Sequence, residues 1–215
     1  HRRPDSVSVE AALSIAIEKS GQTYELGITM RTPSEDKELV IGFLHSEGVI
    51  DSVDCFSSIE TDGDRVVVRL FDSTKFDPDE LTRRTTMTSS CGICGKDSIS
   101  NLLHIHGPEL CNDFSITHEA VSKAVSGLRS MQSTFDITGG THACGRASID
   151  GVITDVREDI GRHNAMDKLI GSAMLKRETP IGRELVVVSG RASFELVQKA
   201  LKVGFPVMVS VGAPS

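Results

Sequence analysis

The stretch from Leu185 to Val211 limits the possible folds more than any other part of the chain. Leu185-Val186-Val187-Val188 is a short, continuous, β-branched apolar run, the pattern of a strand covered on both faces. Ser189-Gly190-Arg191 follows at once, then a helical stripe of Leu196, Val197, Ala200 and Leu201, then a second apolar strand from Val207 to Val211. Strand, helix and strand joined by such short links imply a right-handed parallel crossover. Just upstream, Ala143 to Ile149 and Val152 to Val156, turned at Asp150-Gly151, read as a hairpin followed by a helix from about Asn164 to Lys176. Hairpin and crossover together predict an α/β layer on a mixed sheet, preceded by a helix that carries Val121, Ala124, Val125, Leu128 and Met131 on one side.

The first third has a different rhythm. Leu13 to Ile17 and Tyr24 to Met30 alternate around Ser20-Gly21-Gln22 and predict a hairpin. Thr32-Pro33-Ser34-Glu35 reads as a capping box with Pro at the first helical position, and Leu39, Val40, Phe43 and Leu44 supply a stripe ending before Gly48. After the turn at Asp62-Gly63-Asp64 comes a strand through Val66, Val67, Val68 and Leu70. From Asp72 to about Ser100 periodicity is lost among Ser, Thr, Asp, Arg and Gly. The expected organisation is therefore a smaller α+β domain over 1–72, a long loop over 73–110 and an α/β domain over 111–215.

Composition narrows the function classes. A net charge of -7 argues against a general nucleic-acid binder, which needs a basic face to release phosphate counterions. With no Trp and only Tyr24 beside the phenylalanines, base-stacking platforms are also disfavoured. No apolar run approaches the length of a membrane span, and no secretory apolar segment stands near the start. Cys55, Cys91, Cys94, Cys111 and Cys144 are an odd set in a chain too large to need disulfides, which implies a reducing, hence cytoplasmic, compartment.

Two of these thiols lie in the long loop, in Ser89-Ser90-Cys91-Gly92-Ile93-Cys94-Gly95-Lys96, where the glycines leave sulfur uncrowded. A zinc site would need two further ligands from Cys111, Cys144, His104, His106 or His142, and no second C-x-x-C exists. A thioredoxin-like reductase would place the pair between a strand and a helix, not after an aperiodic stretch. Sulfur transfer fits best: a thiolate accepts sulfane sulfur as a persulfide, and a neighbouring thiol or an acceptor removes it. Lys96, Arg83 and Arg84 would favour the thiolate by charge. Isolated Cys55, Cys111 and Cys144 read as small buried hydrophobes.

Two strand-to-helix junctions suit an anion, because helix N-termini present free N–H groups. One is Ser189-Gly190-Arg191-Ala192-Ser193, where Arg191 offers a planar fork for phosphate or a guanine edge. The other runs from Glu158 to Asn164, with His163 and Asp167 on one helix face, as are Asn164 and Lys168. Arg162, His163, Asn164, Ser189, Gly190 and Arg191 are thus the candidate ligand-binding residues. Thr138-Gly139-Gly140-Thr141-His142 is a third glycine-rich segment, and none of the three is a Walker A or dinucleotide motif.

Arg31-Thr32-Pro33, Gly42-Phe43-Leu44, Ser46-Glu47-Gly48, the Cys91–Cys94 loop, Thr138 to His142, Arg157 to Asn164 and Ser189-Gly190-Arg191 occur in order along nearly the whole chain. In this combination they resemble the FdhD family (FdhD/NarQ type). The resemblance implies a formate dehydrogenase accessory sulfurtransferase that takes sulfur from a cysteine desulfurase and passes it to the bis-molybdopterin guanine dinucleotide cofactor of molybdenum. It implies Cys91 as persulfide carrier and Cys94 as the second thiol, a cytidine-deaminase-like second domain, a homodimer, formate dehydrogenase as recipient and no resident metal. Thr141-His142-Ala143-Cys144 lacks the Glu that a zinc deaminase places two residues after its His, so deamination itself is disfavoured. A further helix and strand are expected beyond Gly212-Ala213-Pro214-Ser215 from the same resemblance. The alternative reading is a non-catalytic chaperone that binds the cofactor or the apoenzyme.

Overall fold

A computed structural model describes residues 5–78 and 107–214. β1 (Ala11–Lys19) and β2 (Gln22–Arg31) form the first hairpin, turned by Ser20 and Gly21, both with positive φ as a two-residue hairpin turn requires. α1 (Asp36–Ser46) follows, then a single 3-10 turn, β3 (Phe56–Asp62) and β4 (Arg65–Leu70). β4 returns parallel to β1, giving the order β2-β1-β4-β3. Leu13, Ile15, Ile17, Val66, Val68 and Leu70 point to one side, onto α1, as the period of two dictates.

The second half contains α2 (His118–Ser130), α3 (Ser133–Thr138), β5 (His142–Ser148), β6 (Ile153–Asp159), α4 (Arg162–Leu175), β7 (Glu184–Val188), α5 (Phe194–Val203) and β8 (Val207–Ser210). Its sheet runs β6-β5-β7-β8, antiparallel except for β7 and β8, so the expected mixed sheet with a parallel crossover is present. β7 is buried on both faces: Val186 and Val188 meet the α4 side, while Leu185 and Val187 join Ala124 and Leu128 of α2.

The main core lies between the two sheets, filled by α1, α4 and α5. Every residue of α4 from Ala165 to Met174 is buried, including Asp167, Lys168 and Ser172, so these polar side chains must find partners inside. α1 and α4 meet backbone to backbone. A methyl group added at Gly42 would fall on the carbonyl of Asp167, and one added at Gly171 on the carbonyl of Glu38.

Three features depart from or add to the sequence reading, the first of them as a correction. The capping box does not form: α1 begins at Asp36 after Glu35 in a left-handed conformation, without a side-chain cap, and Pro33 lies outside the helix. Thr32 and Glu35 are drawn instead to the second half of the chain, where Thr32 bonds to Asp159 and Ile160, and Glu35 pairs with Arg157. Second, Phe56–Asp62 is an edge strand whose alternation is broken by a bulge between Phe56 and Ser58. Third, Ser133–Thr138 is a short helix closed by Gly139 at φ 65°, so Gly139 in the third glycine-rich segment terminates a helix. Residues 72–78 fold back on the first sheet, with the Phe76 ring edge-on to Tyr24 at 5.2 Å.

Candidate functional site

β6 and β7 flank β5, with His142 opposite Asp159 on one side and Cys144 opposite Val188 on the other. The helices that leave β6 and β7 therefore start at one end of the sheet, outside the carboxyl ends of β6, β7 and β8, where open α/β sheets place ligands. Gly190 lies between these starts: a Cβ there would stand 3.6 Å from His142 Nδ1 and 3.7 Å from Arg162 Cδ. Arg162, His163, Ser189, Gly190 and Arg191 are thus gathered at one edge. Ser189 closes the sheet end, its hydroxyl accepting the Ala143 N–H at 2.9 Å, and the Gly190 carbonyl accepts the Gly212 N–H at 3.0 Å. Arg191 is exposed.

Both helix starts are uncapped by side chains. Gly161 stands at the N-cap of α4, and Ser193 at that of α5 caps nothing. Among the described residues the buried Ser193 Oγ, Arg162 Nε and His163 Nε2 also lack hydrogen-bond partners. His163 Nε2 is 3.1 Å from a Glu195 carboxylate oxygen without the alignment of a hydrogen bond, and the two would form an ion pair only with the ring protonated. Burial, with Lys199 and Arg162 adding repulsion, pushes His163 down to about 4, so the ring is neutral near pH 7. Burial and Arg162 likewise lower His142.

Glu158 and Asp159, read from sequence within the anion-binding junction, brace the fold together with the preceding Arg157. Arg157 pairs with Glu35 and Asp155 and donates to the Ser172 hydroxyl at 2.8 Å. Glu158 accepts the N–H groups of Thr134 and Phe135 at 2.8 and 2.9 Å and the Thr141 hydroxyl at 2.8 Å, holding α3. Asp159, fully buried, takes the Lys168 ammonium at 2.8 Å, the Thr32 N–H at 3.1 Å and the Gly161 N–H at 2.9 Å. Asn164 belongs with this brace, since its amide donates to Met30 O at 2.8 Å and to Asp159 at 3.1 Å.

Behind the edge, Lys199 and Asp167 form a buried pair at 2.7 Å. Burial opposes the Lys199 charge, but Asp167 and Glu47 outweigh it and hold the ammonium above its ordinary range. Cys144 is buried, and burial pushes its thiol well up, so it is a core residue rather than a nucleophile. Among the described residues no group of His, Cys, Asp and Glu is arranged to hold a metal ion, and no helix is long and apolar enough to cross a membrane. Cys91 and Cys94 lie outside the described residues, as do Arg83, Arg84, Lys96, His104 and His106. His142, Ser193 and Glu195 were not singled out as ligand-binding residues from sequence. His142 and Ser193 close two of the segments read from sequence, and the pairing of β5 with both neighbours brings His142 beside the two helix starts.

The FdhD/NarQ family model matches residues 8–215. "Sulfur carrier protein FdhD" of Streptomyces coelicolor is 39% identical over 99% of this chain and 78% of its own length. The protein of that name from Sulfurisphaera tokodaii is 40% identical over 90% of this chain and 72% of its own. The one from Mycobacterium tuberculosis is 39% identical over 99% and 81%. Among solved structures, a putative formate dehydrogenase accessory protein from Desulfotalea psychrophila superposes with a TM-score of 0.73 at 23% identity, covering 98% of this chain and 78% of that one, a likeness of fold. With its mixed α/β architecture, its ordered motifs and a family match along nearly its whole length, the chain belongs to the FdhD/NarQ family.

Proposed function

We propose that this protein carries sulfur for the maturation of formate dehydrogenase, with Cys91 as the carrier and the molybdenum bis(molybdopterin guanine dinucleotide) cofactor as recipient. The observation that carries the reading is the 39–40% identity, along nearly the whole chain, to proteins named sulfur carriers. The Cys91 thiolate attacks the outer sulfur of a cysteine desulfurase persulfide, forming a new S–S bond and expelling the donor cysteine as thiolate. Cys94 takes the sulfur over by the same exchange. Neither step consumes an oxidant or reductant.

The recipient enters as a bulky polyanion, and the edge at Gly190 supports its anchoring. Two uncapped helix starts, Arg162, Arg191 and a glycine open to close approach supply donors for phosphate or a guanine edge despite the acidic total charge. A ligand there would also partner Arg162 Nε, His163 Nε2 and Ser193 Oγ. His163, being neutral, offers a hydrogen bond without adding charge.

Incubation with a desulfurase and cysteine, followed by intact mass measurement, should add sulfur to wild type and none to the same position in Cys91→Ala. Normal loading of the alanine variant removes Cys91 as the carrier. The double variant Cys91→Ser/Cys94→Ser should fail to mature formate dehydrogenase, whereas a chaperone without thiol chemistry would keep most of that function.

A further inference from the structure

We propose that Thr32, in the connection between β2 and α1, is a positioning residue for the ligand edge at the start of α4. All three of its polar groups are engaged by the segment that leads into that helix. Its N–H donates to Asp159 at 3.1 Å, its hydroxyl accepts the Ile160 N–H at 3.0 Å, and its carbonyl accepts the Lys168 ammonium at 2.9 Å. The bonded positions lie 127 to 136 residues further along the chain.

A helix start is ordinarily capped by the residue just before it, but Gly161 has no side chain to do so. The first intrahelical bond runs from Ala165 N–H to Gly161 O, so the Ile160–Gly161 turn lies before the ladder and needs other support. Thr32 and Asp159 provide it. Thr32 is itself held, because the buried Arg31 guanidinium beside it binds Asp36, Asp64 and the Ala12 carbonyl. The first sheet thereby fixes the turn from which Arg162 is presented to Gly190 and His163 to Glu195. The Arg31-Thr32-Pro33 motif, which sulfur chemistry does not explain, is accounted for by this role.

Thr32→Val keeps the shape but removes the acceptor of the Ile160 N–H, whereas Thr32→Ser keeps it. Two readouts separate placement of the edge from stability. The first is the imidazole titration of His163, followed by NMR without ligand. Arg162 and Asp167 on its own helix, Glu195 and Lys199 on α5 and His142 on β5 all face it and stay unchanged by the substitution. A rise from about 4 in wild type toward the ordinary histidine range in Thr32→Val, reversed in Thr32→Ser, is expected. The second rests on the nucleotide reading above: calorimetric GDP affinity, measured well below the melting temperature, should fall about tenfold in Thr32→Val and recover in Thr32→Ser. A lower melting temperature with both readouts unmoved makes Thr32 merely structural and overturns the proposal. If wild type does not bind GDP, the nucleotide reading fails, and the His163 titration alone decides for or against Thr32. Thr32→Ala removes the same acceptor and replaces the valine variant should that one not fold.

Discussion

On the flank of α4 that faces the first sheet, Asp159 accepts from four donors, whereas on the flank that faces β7 and α5, Arg162 Nε, His163 Nε2 and Ser193 Oγ meet no hydrogen-bond partner among the described residues. Asp159, Arg162 and His163 belong to one helix start, and Ser193 stands at the start of the neighbouring α5. A buried polar group left unpaired costs about 1–3 kcal/mol, so the contrast marks a division of labour. One flank holds the chain together, and the other carries the edge proposed above to anchor the cofactor. Substitutions on the first should move stability, and substitutions on the second should move binding.

The largest effect is expected from Asp159→Ala, which strands the fully buried Lys168 ammonium. Breaking one partner of such a pair costs about 3–5 kcal/mol, read as a lowered midpoint in urea unfolding. A loss below about 1 kcal/mol would break the comparison on its stable side. Next, Arg191→Ala, at an exposed position, should weaken GDP binding about ten- to a hundredfold, as loss of a charged hydrogen bond does, and leave the urea midpoint in place. Equal affinity in the two proteins removes Arg191 from the site.

Gly190→Ala sharpens the contrast further. The added methyl would stand 3.6 Å from its nearest neighbour, an ordinary contact, so stability should change by less than about 0.5 kcal/mol. GDP affinity should still drop, by about threefold or more, because the methyl occupies the approach to the backbone. Calorimetry and urea unfolding on the same preparation test both halves of that statement.

The last effect concerns pH. His163 in the fold titrates at about 4, below the ordinary value of 6.5, so between those values the unfolded chain binds the proton more readily. Its contribution is therefore fully present above pH 6.5 and is lost as pH falls toward 4. Allowing for its partial exposure, wild type should lose about 1 kcal/mol more than His163→Gln between pH 7 and 5. Parallel stability curves for the two proteins would place His163 in an ordinary aqueous setting.

The sequence was most legible where a pattern is local. The apolar run at Leu185–Val188 announced a doubly covered strand, and the stripe of Leu196 and Ala200 a packed helix, because periodicity records burial directly. The gathering of Arg162 and Gly190 followed from strand order, which sequence suggested without fixing. Thr32-Pro33-Ser34-Glu35 misled because its capping groups are taken by Asp159, Ile160 and Arg157, more than a hundred positions away. For the same reason Glu158-Asp159 looked like ligand chemistry: a charged run reads alike whether it faces solvent, an anion or another sheet. The reading of the cysteine pair rests on its spacing and glycines alone, because the pair lies outside the described residues.

The crossing of α1 and α4 at Gly42 and Gly171 has a bearing on how such a chain can change over generations. Interdigitating side chains can be exchanged one pair at a time, each mismatch absorbed by a rotamer. A glycine seated against a carbonyl has no such intermediate, since alanine already collides with backbone. The two halves of the chain therefore carry matching parts of one joint, and neither can be replaced by a diverged counterpart that has lost its glycine. Recombination between distant relatives should be tolerated only where the joined halves keep both glycines, since each is demanded by the backbone of the other half.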